Sequence, residues 1–121
     1  FINFEGTTPP TILGDNFLLT QAIDNLLQNA IDFANDNSEI IVSINIEKEL
    51  ILSITNQGEN IPEYALTRIF ERFYSLPRPV SKQKSSGLGL CFVKQIAVLH
   101  SGDIQLDNIK GGVKAKLSIK V

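Results

Sequence analysis

The sequence predicts an α/β (α+β) two-layer sandwich, a mixed sheet of about five strands with three helices on one face. Three observations predict it. Ile23, Leu26, Leu27, Ala30, Ile31 and Ala34 recur at i, i+3, i+4, i+7, i+8 and i+11, one apolar stripe of an amphipathic helix. Ile40, Val42, Ile44 and Ile46 alternate instead, which is the period of a half-buried strand. Both periods occur within 121 residues that are 43% hydrophobic, the size of one domain with a real core.

The elements follow in order. Phe1–Glu5 alternates as an edge strand, Gly6–Pro10 is a turn and Thr11–Leu13 a short strand. Gly14-Asp15 opens the first helix with Asp15 as N-cap, and Asn35-Asp-Asn-Ser38 ends it. Glu39–Glu47 and Leu50–Thr55 are strands joined as a hairpin around Lys48-Glu49. Asn56–Pro62 reads as a loop and Glu63–Tyr74 as a short helix. Ser75–Ser86 carries two prolines and the bases Arg78, Lys82 and Lys84 without periodicity, so it reads as a mobile loop. Gly87–His100 is a helix ended by Gly102, and Asp103–Asn108 and Val113–Val121 are strands joined by a Gly111-Gly112 turn.

Composition excludes several function classes. A net charge of −2 argues against a general nucleic-acid surface. No run reaches the roughly 18 apolar residues that span a membrane, and no signal peptide is visible. The single Cys91 reads as a small buried hydrophobe, and the cytoplasm is the natural compartment. A start at Phe1, in mid-strand, reads as a segment excised from a longer polypeptide.

Three places carry chemistry. Asn25 and Asn29 lie four apart on one helix face, with Asp32 beside them and the apolar stripe turned away. Asn is a poor choice for a helix interior, and two stacked amide oxygens suit an octahedral Mg²⁺ shared with phosphates and water. A solvated polar face is the plainer reading of the same residues. Asn56-Gln-Gly-Glu-Asn-Ile-Pro62 follows a buried strand. There Gly58 would admit a flat ligand, Asn56 Oδ1 would accept from an exocyclic amine, and Ile54, Ile61 and Phe70 would wall the ring. An ordinary turn, with Phe70, Phe73 and Tyr74 in the core, accounts for these residues too. Ser85-Ser86-Gly87-Leu88-Gly89-Leu90 opens a helix whose free N–H groups and positive dipole end favour an anion. The basic loop before it has the character of a lid; a structural helix start and a solvated surface loop are the plainer readings of the same residues.

In this order and spacing the segments resemble the N, G1, F and G2 boxes of the GHKL superfamily, named for gyrase, Hsp90, histidine kinase and MutL. Gln21–Ala34 resembles the N box of bacterial sensor histidine kinases, Asn56–Pro62 the G1 box, Arg68–Tyr74 the F box and Ser85–Gly102 the G2 box. Phe70-Glu-Arg-Phe-Tyr-Ser-Leu-Pro-Arg78 with Lys84-Ser-Ser-Gly-Leu-Gly-Leu90 is most similar to the CreC type of sensor kinase. The resemblance implies a Bergerat ATP-binding fold over residues 1–121, with ATP and Mg²⁺ as cofactors. Carried over, Asn29 with Asn25 would hold Mg²⁺, Asn56 would meet the adenine amine and Gly58 would lie under the base. Phe73 and Tyr74 would anchor the lid, while Gly87 and Gly89 would cradle the triphosphate. The implied partners are a dimerisation domain bearing the phosphoacceptor histidine and a response regulator. The implied location is the cytoplasmic side of a protein anchored in the bacterial inner membrane, and the lone domain is expected to be monomeric.

Three positions depart from the family pattern. Asn56 stands where Asp is usual, Asn60 replaces the second glycine of its box, and Asp32 stands where Lys is common. The first predicts weaker adenine binding, the second a stiffer loop, and the third a shift of phosphate contact to Arg78, Lys82 or Lys84. ATPase branches of the superfamily place a general-base Glu four residues before the metal-binding Asn, where this chain has Asn25. That implies poor hydrolysis and a γ-phosphate kept for another nucleophile. An anti-sigma-type serine kinase and a degenerate, non-catalytic nucleotide sensor stay open as alternatives.

Overall fold

Strands β1 (Ile2–Glu5), β2 (Ile40–Ile46), β3 (Glu49–Gln57), β4 (Asp103–Ile109) and β5 (Gly112–Lys120) form one sheet in the order β1-β2-β3-β5-β4. The computed structural model describes residues 2–5, 14–46, 48–71 and 89–120. β1 pairs parallel to β2 and the remaining pairs are antiparallel, so the sheet is mixed, as the sequence predicts. The predicted strand over Thr11–Leu13 lies outside the described residues.

Register places one parity of every central strand inward. Val42, Ile54 and Ala115 form one row across the sheet, and Ile44, Leu52, Leu117 and Ile104 form the next. Because side chains alternate across a strand, a slip of one residue would turn this whole set to water. Helices α1 (Asn16–Phe33) and α3 (Gly89–Leu99) pack on each other and on that inward face, with the single-turn α2 (Glu63–Leu66) beside them. Ile54, Leu117 and Val93 are the largest fully buried side chains. Ile46, the last residue of β2, is exposed rather than inward.

The first helix is capped as expected. Asp15 Oδ1 accepts from the Leu18 N–H at 2.9 Å. The buried line, however, is Ala22, Leu26 and Ala30, centred one position from the predicted stripe. The alanines let the α1 backbone approach closely, and Ile31 turns out to solvent, 48% exposed.

The second helix is much shorter than predicted. α2 stops at Leu66, and turn bonds from Arg68 N–H to Ala65 O and Glu71 N–H to Arg68 O carry the chain on. β-branched Thr67 and Ile69 weaken helix propagation there. Ala65 and Ile69 are nonetheless buried.

α3 ends in a Schellman arrangement: Gly102 N–H bonds Ala97 O and Ser101 N–H bonds Val98 O. The left-handed residue is Ser101 (φ 58°), not Gly102. Gly102 is required for a different reason: a Cβ there would stand 1.7 Å from the Ser118 carbonyl oxygen. Cys91 is half-buried, less covered than its sequence context suggests.

Candidate functional site

β3 runs two residues past its predicted end. Asn56 pairs with Val113 and Gln57 with Gly112, so Asn56 is a strand residue and not a loop residue. The extension needs a glycine opposite, because a Cβ on Gly112 would stand 1.9 Å from the Asn56 carbonyl oxygen. Pairing there buries Asn56 to 5% exposure. Its Nδ2 has no hydrogen-bond partner among the described residues. A buried amide without a partner loses its water bonds and gains nothing, at about 1–3 kcal/mol. Such a group is compensated only when something else enters.

The C-terminal end of α1 closes on this position. Asn35 N–H donates to Gln57 O at 2.7 Å. A Cβ on Gly58 would meet the Phe33 carbonyl oxygen at 2.4 Å and Asn56 Nδ2 at 3.4 Å. Gly58 therefore serves first to admit the end of α1, where sequence reading assigned it to admit a ligand.

Asn25 and Asn29 are both half-buried on α1. α3 begins beside Asn25: a Cβ on Gly89 would lie 4.0 Å from Asn25 Cγ and within 4 Å of no other atom among the described residues. Phe33 follows Asn25 by eight residues, about 12 Å of helix. The second half of α1 thus runs from the first described turn of α3, beside Asn25, to the buried, unpartnered amide of Asn56. Asp32 does not project freely: it accepts from Gln28 Nε2 at 2.9 Å.

Ile61, Phe70 and Leu90 are half-buried and pack against the core. Ile54, expected beside them in a ring pocket, is a core residue at 1% exposure. Phe73, Tyr74, Arg78, Lys82, Lys84, Ser85, Ser86, Gly87 and Leu88 lie outside the described residues. Among the described residues no group of three or more His, Cys, Asp and Glu converges on a metal position, so a cation here would depend on amide oxygens and on its ligand.

Sequence reading did not find the contribution of the β4–β5 hairpin. Asn60 Nδ2 donates to Ile109 O at 2.9 Å and to Gly112 O at 2.7 Å. Asn108 bonds both main-chain groups of Ile61, and Gly58 N–H bonds Gly111 O. These partners lie about 50 residues apart, so no local pattern announces them. Asn60 in place of a glycine does tie the loop down, in the direction its sequence position suggests.

The solitary histidine lies at the far end of the helix pair. His100 Nε2 accepts from the Asp15 N–H at 3.0 Å, and Nδ1 donates to Ile96 O at 2.8 Å. It fastens the end of α3 to the start of α1.

Residues 14–121 match the family described as histidine kinase-, DNA gyrase B- and HSP90-like ATPase. The chain belongs to this family. Within it, the chain is similar to the sensor protein CreC of Escherichia coli K12, 47% identical over 114 residues, which are 93% of this chain and 24% of CreC. The chain thus spans about a quarter of the length of that relative. Among solved structures it is similar to a mycobacterial sensor histidine kinase, MprB, at 31% identity and TM-score 0.81, covering 98% of this chain and 81% of the other. It is also similar to the nucleotide-free catalytic domain of histidine kinase ThkA, at 28% identity and TM-score 0.84, covering 98% and 77%. The family's ATPase fold accounts for the α1, β3 and α3 arrangement described above.

Proposed function

We propose that this chain is the ATP-binding catalytic domain of a sensor histidine kinase. In this reading it presents ATP so that the γ-phosphoryl passes to a histidine on a separate dimerisation domain. The observation that carries the reading is the buried Asn56 side chain, whose unpartnered Nδ2 sits at the end of β3 beside Gly58. A side-chain amide can offer either its oxygen or its nitrogen, which matches the mixed donor and acceptor edge of adenine.

Asn29 and Asn25 would hold Mg²⁺ through their amide oxygens. The ion, when bound, neutralises charge on the transferring phosphoryl group. Asn56 would orient the base, with Ile61 and Phe70 against it. The N-terminal amides of α3, from Gly89 onward, would face phosphate. An amide at Asn25 has no basic site, so no residue there withdraws a proton from water, and hydrolysis stays slow. The proposed setting is the cytoplasmic side of a membrane-anchored kinase that passes the phosphoryl group onward to a response regulator.

Titration calorimetry with a non-hydrolysable ATP analogue, with and without Mg²⁺, tests the reading. The expected Kd is roughly 10 µM to 1 mM, about −4 to −7 kcal/mol. Asn29→Ala should remove the Mg²⁺ dependence. Absence of binding at millimolar nucleotide would overturn the proposal. If binding occurs but a supplied histidine-bearing dimerisation domain gains no phosphate, a nucleotide-sensing role replaces the kinase role.

A further inference from the structure

We infer that Asn108, on β4, is a positioning residue for the base side of the nucleotide site; the inference rests on the function proposed above. Asn108 Oδ1 accepts from the Ile61 N–H at 2.7 Å, and Asn108 Nδ2 donates to Ile61 O at 2.7 Å. A primary amide has the shape and the donor–acceptor pair of a peptide unit. One side chain therefore does for Ile61 what a neighbouring strand does for a paired residue.

The loop that receives this clasp joins β3 to α2 and begins two residues after Asn56. Two more of its polar groups turn the same way. Gly58 N–H donates to Gly111 O at 2.9 Å, and Asn60 Nδ2 bonds Ile109 O and Gly112 O. Loop backbone usually spends its hydrogen bonds on water. Here the β4–β5 turn takes them, and both main-chain groups of Ile61 are held by one residue. With those groups fixed, the half-buried Ile61 side chain is held against the core in a set position relative to Asn56. A loop ordered before the ligand arrives loses no further freedom on binding. Asn108 touches no reacting atom in this scheme; it acts through Ile61.

The experiment uses this chain and two variants. Asn108→Asp keeps the shape and the acceptor for Ile61 N–H but loses the donor. Asn108→Leu loses both. Each is titrated with a non-hydrolysable ATP analogue plus Mg²⁺, at a temperature where circular dichroism shows it folded. The expected result is a Kd raised about threefold in the first and about tenfold in the second, at unchanged stoichiometry. Amide exchange at Ile61 should quicken in both while Leu52 and Leu117 stay protected. A purely structural role would lower the melting temperature and the competent fraction and leave Kd where it was, which would overturn the positioning role alone. If the unaltered chain binds no nucleotide, the functional reading falls, and this inference with it. Retained wild-type Kd in Asn108→Asp with accelerated Ile61 exchange would also sink it, because the loop would then be loosened without consequence.

Discussion

Gly58 and Gly89 are both glycines of the candidate site, and they do opposite things. At Gly58 a Cβ would run into the Phe33 carbonyl oxygen at 2.4 Å; at Gly89 the nearest atom, Asn25 Cγ, is 4.0 Å away. The first glycine closes protein on protein. The second meets no closer atom among the described residues. A glycine in a binding motif is therefore not by itself a ligand contact, and among the described residues the candidate site has one packed glycine and one open glycine.

That contrast can be broken directly. Gly58→Ala should destabilise by about 2–3 kcal/mol, since a backbone oxygen cannot swing aside, lowering Tm by roughly 8–12 °C. Gly89→Ala is the counterpart: with open space and better helix propensity it should leave Tm unchanged or slightly raised, while nucleotide affinity falls. Thermal melts with and without nucleotide read both, and equal loss of stability would erase the distinction.

Next in size is His100→Ala. It removes the hydrogen bond that joins the end of α3 to the start of α1 and a second one within α3, and leaves the Asp15 N–H without its partner, at about 1–2 kcal/mol. Urea unfolding would show this as a lower midpoint at constant slope, with nucleotide affinity unaffected because the histidine lies away from the base end.

Asn56→Asp sharpens the base end. With Asn56 Oδ1 as the acceptor of the adenine amine, a carboxylate accepts more strongly than an amide and ATP should bind about 1 kcal/mol tighter, about fivefold, whereas weaker binding would mean that the buried Nδ2 donates to the base. The same change puts a charge in a site 5% exposed, so the nucleotide-free chain should melt lower. Calorimetry and a melt together test the trade, and unchanged affinity would refute it.

The smallest effect lies outside the site. Lys94 Nζ bonds Asp103, and with the Ile104 N–H it holds the Asp103 carboxyl below the usual carboxylate range. A lowered folded pKa means the stabilisation is present above the ordinary carboxylate pKa and fades as pH falls through the lowered value. The two side chains are 42% and 61% exposed, so Lys94→Ala should cost no more than about 0.5 kcal/mol at neutral pH and nothing in strong acid.

What sequence reading reached and missed divides along the same physical line. Period and capping are local, so the strands, the Asp15 cap and the stacked Asn25 and Asn29 were legible from residue order. The true end of β3 was not, because Asn56 and Gln57 are held in strand by Val113 and Gly112, more than 50 residues on. The helix predicted over Glu63–Tyr74 ends at Leu66, where turn bonds replace it. The predicted stripe missed its centre by one residue because alanines rather than isoleucines face the tightest contact. The Asn108 clasp was invisible for the same reason as the β3 extension: its partner is set by sheet topology and not by spacing.

The fastening of His100 has a chemical corollary. A carbonyl oxygen can only accept, so Nδ1 must carry the imidazole proton; a main-chain N–H can only donate, so the lone pair on Nε2 is already taken. With one histidine in the sequence, the chain holds no free imidazole nitrogen to attack phosphorus. Incubated alone with radiolabelled ATP, it should acquire no acid-labile label. In the kinase role proposed above it would then be an unmarked donor, against which any phosphohistidine that appears must belong to whatever was added.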